Sequence, residues 1–353
     1  GQPERPPPLY SSAASDVYKR QVIESANLFV RLERSDDMPD SLYQLHFPRP
    51  TLPDGVDNVP FVHGLTGFVD AGDALLITTQ HLLGSLEKEL VAQFTADAII
   101  EYTNRRPALL MCDGKLEACH PHDLQLWMLY DNTGHPFLLL EGAEPDLYWD
   151  QLARELSSIL SSYGVTQIIG LCSAAMGIPH TRQAPCFHHG SQHYESDDIS
   201  QWEGSMRFPA SFDAYLDYSL QEENFHIDGF TSQVPNYLAQ SRYSPAAVQL
   251  LHVLQSFGHL SIPIGALEKD ADKLMNDVNE QIDDNPELVA VVRAMEETYD
   301  SFKEEHERKK TAEADLKIFA EDIKNSDKLG AELEKFLSQV DSRTDPPHEE
   351  GDA

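Results

Sequence analysis

PFLLLEGAEPDLYWDQLARELSSILSSYGVTQIIGL, residues 136–171, decides the fold class. Pro136–Glu141 is an apolar run short enough for a buried strand. Asp146–Tyr163 then repeats apolar residues at helical spacing, and Gly164 closes the helix. Val165–Leu171 is a second apolar strand. Strand, turn, helix and strand in this order form a βαβ unit, which places a sheet beneath a covering helix.

The same alternation continues on either side. Val59–Leu65 reads as a buried strand, Thr66–Gly72 as a glycine-flanked loop and Asp73–Leu86 as a helix. Pro107–Cys112 and Lys115–Ala118 flank Asp113-Gly114, a turn pair that tolerates positive φ at both positions, so they form a hairpin. Leu124–Tyr130 and Pro136–Glu141 flank Asn132-Thr133-Gly134 as a second hairpin. Ser211–Leu220 is helical and Phe225–Thr231 is a strand. Ser244 and Pro245 supply the N-cap and first-turn proline of a helix over Ala246–Phe257. The expected fold is α/β, a mixed and mostly parallel sheet with flanking helices, followed by an all-helical C-terminal segment.

Composition narrows the function. Among 353 residues, 59 are acidic and 26 basic, a formal net charge of −33. Such a surface repels phosphate backbones and anionic lipid, which opposes nucleic-acid and membrane-surface roles. The longest apolar runs fall far short of the roughly 18 residues that a membrane-spanning helix needs. Cys112, Cys119, Cys172 and Cys186 show no CxxC pair, consistent with a reducing cytoplasm.

Four parts are expected. Ser11–Gln21 reads as translated adaptor sequence, so residues 1–21 are set aside as non-native. Residues 22–262 form the α/β core, 263–343 a helical segment, and 344–353 a disordered acidic tail. Residues 268–353 hold 26 acidic and 12 basic side chains with almost no strand signal. Within them Leu288, Val291, Val292, Met295 and Tyr299 share one helical face.

Three loops follow strands, where open α/β sheets place ligands. The first carries Asp70 and Asp73 among glycines before a helix; either acid serves as a helix cap or faces an anion-binding crevice. The second carries Glu144 and Asp146, an acid/base or cation pair unless Pro145 opens the helix and the acids merely complement its dipole. The third is Gly177–Arg182, where His180, Thr181 and Arg182 occupy one proline-punctuated turn suited to an anionic ligand. Gly170–Ala174 weakly resembles a nucleophile elbow around Cys172 or Ser173, with a buried structural cysteine as the plainer account. His188, His189 and His193 lack the partners of a metal site, so no metal or other cofactor is expected. Arg105 and Arg106 precede the Ala108–Cys112 hairpin as a salt-bridge hub, within the fold or across an interface.

Five blocks in order carry a family resemblance: HGLTGFVDAGDA (63–74), EYTNRRPALLMCDG (101–114), DNTGHPFLLLEGAEPDLYWDQL (131–152), MGIPHTR (176–182) and VPNYLAQSRYSPAAVQLLHVL (234–254). Together they resemble the proteasome assembly chaperone 2 family, in its long actinobacterial branch, over about Leu42 to Leu267. The resemblance implies an α/β core similar to purine nucleoside phosphorylases and hydrolases. It also implies a non-catalytic role like that of the eukaryotic namesake, which helps assemble the proteasome α-ring. Asp70, Arg105, Arg106, Glu144, Asp146, His180, Thr181, Arg182 and His189 fall on its motif positions. Ala175 and Gln183 depart from the expected prolines, and His348–Ala353 lacks the hydrophobic–Tyr–any ending of proteasome-docking relatives.

The expectation is a cytoplasmic, proteasome-assembly-chaperone-like protein working through protein–protein contact without catalysis. Proteasome subunits are its candidate partners, and it is expected to form a homo-oligomer, taken as a trimer. Leu109 and Leu110, with Arg105 and Arg106 at the hairpin base, are the candidate interface. The alternative is a ligand-binding protein or hydrolase/phosphorylase-like enzyme. There Asp70, Asp73, Glu144, Asp146, His180, Thr181, Arg182 and His189 would surround a small anionic or nucleoside-like ligand.

Overall fold

The computed structural model describes residues 39, 41–56, 58–194, 196, 198–201, 205–305 and 308. The segments expected at 1–21 and 344–353, and the part of the expected helical segment that follows residue 308, lie outside them. The chain runs β1 (Tyr43–Leu45), β2 (Phe61–Thr66), α1 (Ala74–Ser85), β3 (Glu87–Phe94), the single turn α2 (Ala96–Ile99), β4 (Ala108–Cys112), β5 (Lys115–His120), β6 (Leu124–Tyr130) and β7 (Pro136–Ala143). There follow α3 (Trp149–Ser162), β8 (Gln167–Met176), β9 (Cys186–Gly190), β10 (Ile199–Gln201), α4 (Phe212–Glu222), β11 (His226–Pro235), α5 (Ser244–Phe257) and α6 (Gly265–Asp283). Residues 286–305 are helical and are called α7.

Among the described residues, nine strands form one sheet in the order β1-β3-β6-β7-β2-β8-β11-β9-β10, while β4 and β5 pair only with each other. The central strands β7, β2, β8 and β11 are mutually parallel, and both flanks bring in antiparallel partners. The parallel centre needs cover on both faces. Its side chains divide accordingly. Phe61, Leu65, Ile168 and Ile227 pack under α3 and α4 with Leu152, Leu156, Phe212, Leu216 and Leu220. Val62, Ile169, Leu171 and Phe230 pack under α1 and α5 with Leu75, Leu82, Ala247, Leu250 and Leu254. The period of two along each strand thus builds a three-layer sandwich.

Both predicted hairpins form, with Asp113 and Gly114 at φ 47 and 77. Two boundaries differ from the sequence reading. Helix α3 begins at Trp149, after Tyr148 in the left-handed region at φ 60, so Pro145 is not in its first turn. Strand β8 runs on to Met176, because β11 pairs with all ten of its residues. Cys172 and Ser173 are therefore strand residues, not the tip of an elbow.

Beyond residue 262, α6 continues the core through Leu267 and Ala271, with Leu274 and Met275 packed alongside. On α7, Val292, Met295 and Tyr299 are half-buried, while Leu288 and Val291, expected on the same packed face, are exposed. Among the described residues no helix is long and apolar enough to cross a membrane.

Candidate functional site

Parallel strands β7, β2, β8 and β11 end at one edge of the sheet, so the three singled-out loops do emerge there. Their polar groups are engaged by partners within the chain. Asp70 accepts hydrogen bonds from the Leu75 and Leu76 amides at 2.7 and 3.4 Å, capping α1 from outside its first turn. Burial, only partly offset by those amides, raises the Asp70 pKa to about 6. Asp73 holds the turn before α1 at φ 50. Glu144 accepts from the Phe68 amide at 3.0 Å and from the Phe212 amide at 2.7 Å, which ties the first loop to the start of α4. Asp146 accepts from the Glu101 amide at 2.8 Å and pairs with Arg105, whose guanidinium also donates to the Glu144 carbonyl. Arg105 is thus a hub within the fold, and Arg106 is exposed.

The His180–Arg182 turn receives the C-terminal helices. His180 is buried, with Nδ1 2.6 Å from the Tyr237 hydroxyl and Nε2 3.0 Å from Asn279 Oδ1 of α6. Thr181 donates to Glu296. Arg182 makes a two-pronged contact with Asp300, both bonds 2.9 Å, and a third bond of 3.0 Å to Glu296. Its guanidinium holds Asp300 below the usual carboxylate range. Planar pairing of this kind fixes orientation as well as attraction. Arg182→Ala is therefore expected to release α7 while the sheet stays folded. Hydrogen exchange would show faster exchange across residues 286–305 and unchanged exchange in β2, β8 and β11, and raised salt would act in the same direction on the parent chain. Unchanged α7 protection would mean that apolar packing alone holds the helix.

A second constellation lies inside the sandwich. His63, Gly170, Gly229 and His189 are register partners in one row across β2, β8, β11 and β9. Over that row α4 lowers two carboxylates one helical turn apart. Asp213 Oδ1 lies 2.7 Å from His63 Nδ1, and Asp217 Oδ1 lies 2.8 Å from His63 Nε2. The other oxygen of Asp217 is 3.2 Å from His189 Nε2. Asp213 also accepts from the Leu65 amide at 3.3 Å. The two glycines make this possible. A Cβ at Gly170 would sit 2.7 Å from Asp217 Oδ2 and 3.1 Å from the His63 ring, and one at Gly229 would sit 2.1 Å from the His189 ring.

With a carboxylate oxygen at each ring nitrogen, His63 is an imidazolium that donates twice. Burial alone would push its pKa down, but Asp217 and Asp213 outweigh burial and hold it at about 10. Burial also opposes charge on Asp217, yet His63 and His189 pull that carboxyl down to about 2. At Asp213 burial prevails over the His63 contact and the pKa rises. Burial, with these acids nearby, likewise pushes the Cys172 thiol up, which keeps it protonated rather than nucleophilic.

Of the residues that sequence patterns single out, Glu144, Asp146 and Arg105 come together, as do His180, Thr181 and Arg182. His189 joins neither group and belongs to the buried row. Its neighbour His188 points to the other face, 3.1 Å from Asp228, and His193 bonds Gln201. Among the described residues no group of three or more His, Cys, Asp or Glu is placed to hold a metal ion. His63, Asp213 and Asp217 escape the sequence reading. A signal exists for the acids: Asp213 and Asp217, four apart, ride with Phe212, Leu216 and Leu220 on the apolar half of a helix.

The chain matches the PAC2 family model over residues 64–282. It is similar to a Corynebacterium glutamicum protein of unknown function, 31% identical with a TM-score of 0.72, the match covering 75% of this chain and 99% of that one. A Mycobacterium tuberculosis protein of unknown function is 32% identical with a TM-score of 0.72, covering 78% and 95%. A Mycobacterium tuberculosis proteasome-assembly chaperone homologue shares the fold at 20% identity and a TM-score of 0.58, covering 66% and 100%. No curated protein matches the chain.

Proposed function

The chain belongs to the PAC2 family, and from that premise we propose that it is a proteasome-assembly-chaperone-like protein acting by protein–protein contact in the cytoplasm. The observation that carries this reading is the β4–β5 hairpin. Leu109, Leu110, Met111 and Leu116 are 60, 47, 63 and 65% exposed on a two-stranded sheet whose outer edges, among the described residues, pair with no other strand. Phe47, Phe68 and Phe302 are exposed elsewhere, but the hairpin gathers four large apolar side chains on one protrusion, which suits it to be an interaction surface. The fold shared with a proteasome-assembly chaperone homologue points the same way.

The hairpin's first partner, on this reading, is a second copy of the chain. Residues 105–120 carry Arg105, Arg106 and Lys115 against Asp113 and Glu117, a net +1 in a chain of −33. Such a segment is attracted to the acidic surface of another copy, whereas most of the remaining surface is repelled. The Arg105 contacts to Asp146 and Glu144 hold the hairpin base rigid, which lowers the ordering cost of docking. A trimer leaves further surface for proteasome subunits.

The crevice alternative has less to stand on. Asp70, Glu144, Asp146, His180 and Arg182 are engaged by protein partners, so a ligand would have to displace those contacts. Leu110→Asp is expected to convert the oligomer to monomer and to abolish capture of proteasome α subunits, read by native mass spectrometry, without loss of fold. An unchanged mass and unchanged capture would remove the hairpin from the interface.

A further inference from the structure

We propose that the His63–Gly170–Gly229–His189 row, bridged by Asp217, is an acid–base site in which His189 acts as a general base toward water attacking a small uncharged ester. This goes beyond the interaction reading and does not rest on the hairpin, which lies on separate strands.

Asp217 fixes the tautomer of His189. An ionised Asp217 accepts the proton on Nε2, leaving the lone pair on Nδ1, for which the described residues provide no partner. The His189 side chain is 54% exposed while Asp217 is only 8% exposed. A buried carboxylate behind an accessible imidazole orients the ring and stabilises the imidazolium that forms on proton uptake. Asp213, His63 and Asp217 together carry a net negative charge when both acids are ionised, and their field reaches His189. The same field disfavours anionic ligands, which selects an uncharged substrate. Gly170 and Gly229 lie side by side on β8 and β11, although glycine weakens a strand relative to alanine. What they provide is the floor on which His63, Asp217 and His189 lie.

The step balances without a cofactor. Nδ1 takes a proton from water as the water oxygen bonds the ester carbonyl carbon. The bond from that carbon to the alkoxy oxygen then breaks, the leaving oxygen keeps the electron pair, and the proton on Nδ1 passes to it.

The test uses the full chain and p-nitrophenyl acetate as probe, with p-nitrophenol release measured above the buffer rate. His189→Gln is expected to lower that release at least tenfold, and Asp217→Asn comparably, while His252→Gln, at an exposed histidine on α5, leaves it unchanged. If Asp217→Asn fails to fold, Gly229→Ala serves instead, because its Cβ displaces the ring and leaves the His63 contacts in place. Nitrogen NMR should find His189 protonated at Nε2 in the neutral form. Release that persists within twofold in His189→Gln, or a neutral His189 protonated at Nδ1, overturns the proposal. Both readouts are indifferent to the oligomeric state, so failure of the hairpin reading would not affect them.

Discussion

His63→Leu is expected to destabilise the fold by about 3–5 kcal/mol, the range for removing one member of a buried ion pair. The substitution keeps an apolar side chain in the space but removes both donors. Asp213 and Asp217, 1 and 6% exposed, would then face each other one helical turn apart with no cation between them. Guanidinium denaturation at pH 7 reads the loss directly. Replacing His63, Asp213 and Asp217 together by leucine should recover most of it, since a buried ion pair adds little over well-packed apolar groups. A single-variant loss below about 1 kcal/mol would show that water already reaches the cluster. The pH profile gives an independent check. His63 has a folded pKa of about 10 against 6.5. Its contribution is therefore complete below pH 6.5 and is lost as pH rises through 10. Asp217, at about 2 against 3.8, contributes fully above 3.8 and loses that contribution as pH falls through 2. Subtracting the profile of His63→Leu from that of the parent should isolate the alkaline limb.

What the sequence reveals depends on how far apart the partners lie. The 136–171 stretch resolves into strand, helix and strand because its signals are local: an apolar run, an amphipathic repeat, a closing glycine. Both hairpins are readable for the same reason, from Asp113-Gly114 and Asn132-Thr133-Gly134. The buried row is not. His63 meets acids 150 and 154 residues later, and within Val59–Leu65 it looks like one polar residue in a buried strand. Only the register of four non-sequential strands brings it into line with His189. The His180–Arg182 turn teaches the converse. Its residue types suit an anion, and it does bind anions, but they are Glu296 and Asp300 of its own chain, more than 110 residues on. A local motif reveals the chemistry of recognition while the identity of the partner comes from the fold. Glu144 follows the same logic: it reads as a helix-start acid, and it is one, although the helix it serves is α4 rather than the adjacent α3.

Gly142→Ala is the other change expected to be severe. Gly142 sits near the end of β7 at φ 129, outside the region that L-residues adopt readily. Its missing side chain is also a matter of space. A Cβ there would lie 2.0 Å from the Asp123 carbonyl oxygen, 2.8 Å from its carbon and 2.9 Å from Leu124 Cα, all backbone atoms. Backbone cannot rotate aside as a side chain can, so β6 must separate from β7. Conformational strain of about 1–3 kcal/mol then adds to overpacking of about 1–3 kcal/mol. The damage should spread in a defined direction. The Ala143 amide donates to the same Asp123 carbonyl at 2.8 Å, and the next residue, Glu144, binds the start of α4. Loosening that link loosens the helix that carries Asp213 and Asp217. Gly134→Ala separates the two contributions. Gly134 also has positive φ, at 81, but a Cβ there meets nothing within 4 Å. It should therefore show the conformational part alone. If thermal unfolding finds the two variants equally destabilised, close approach of β6 is not what demands glycine at 142, and the strand ends are looser than their spacing implies.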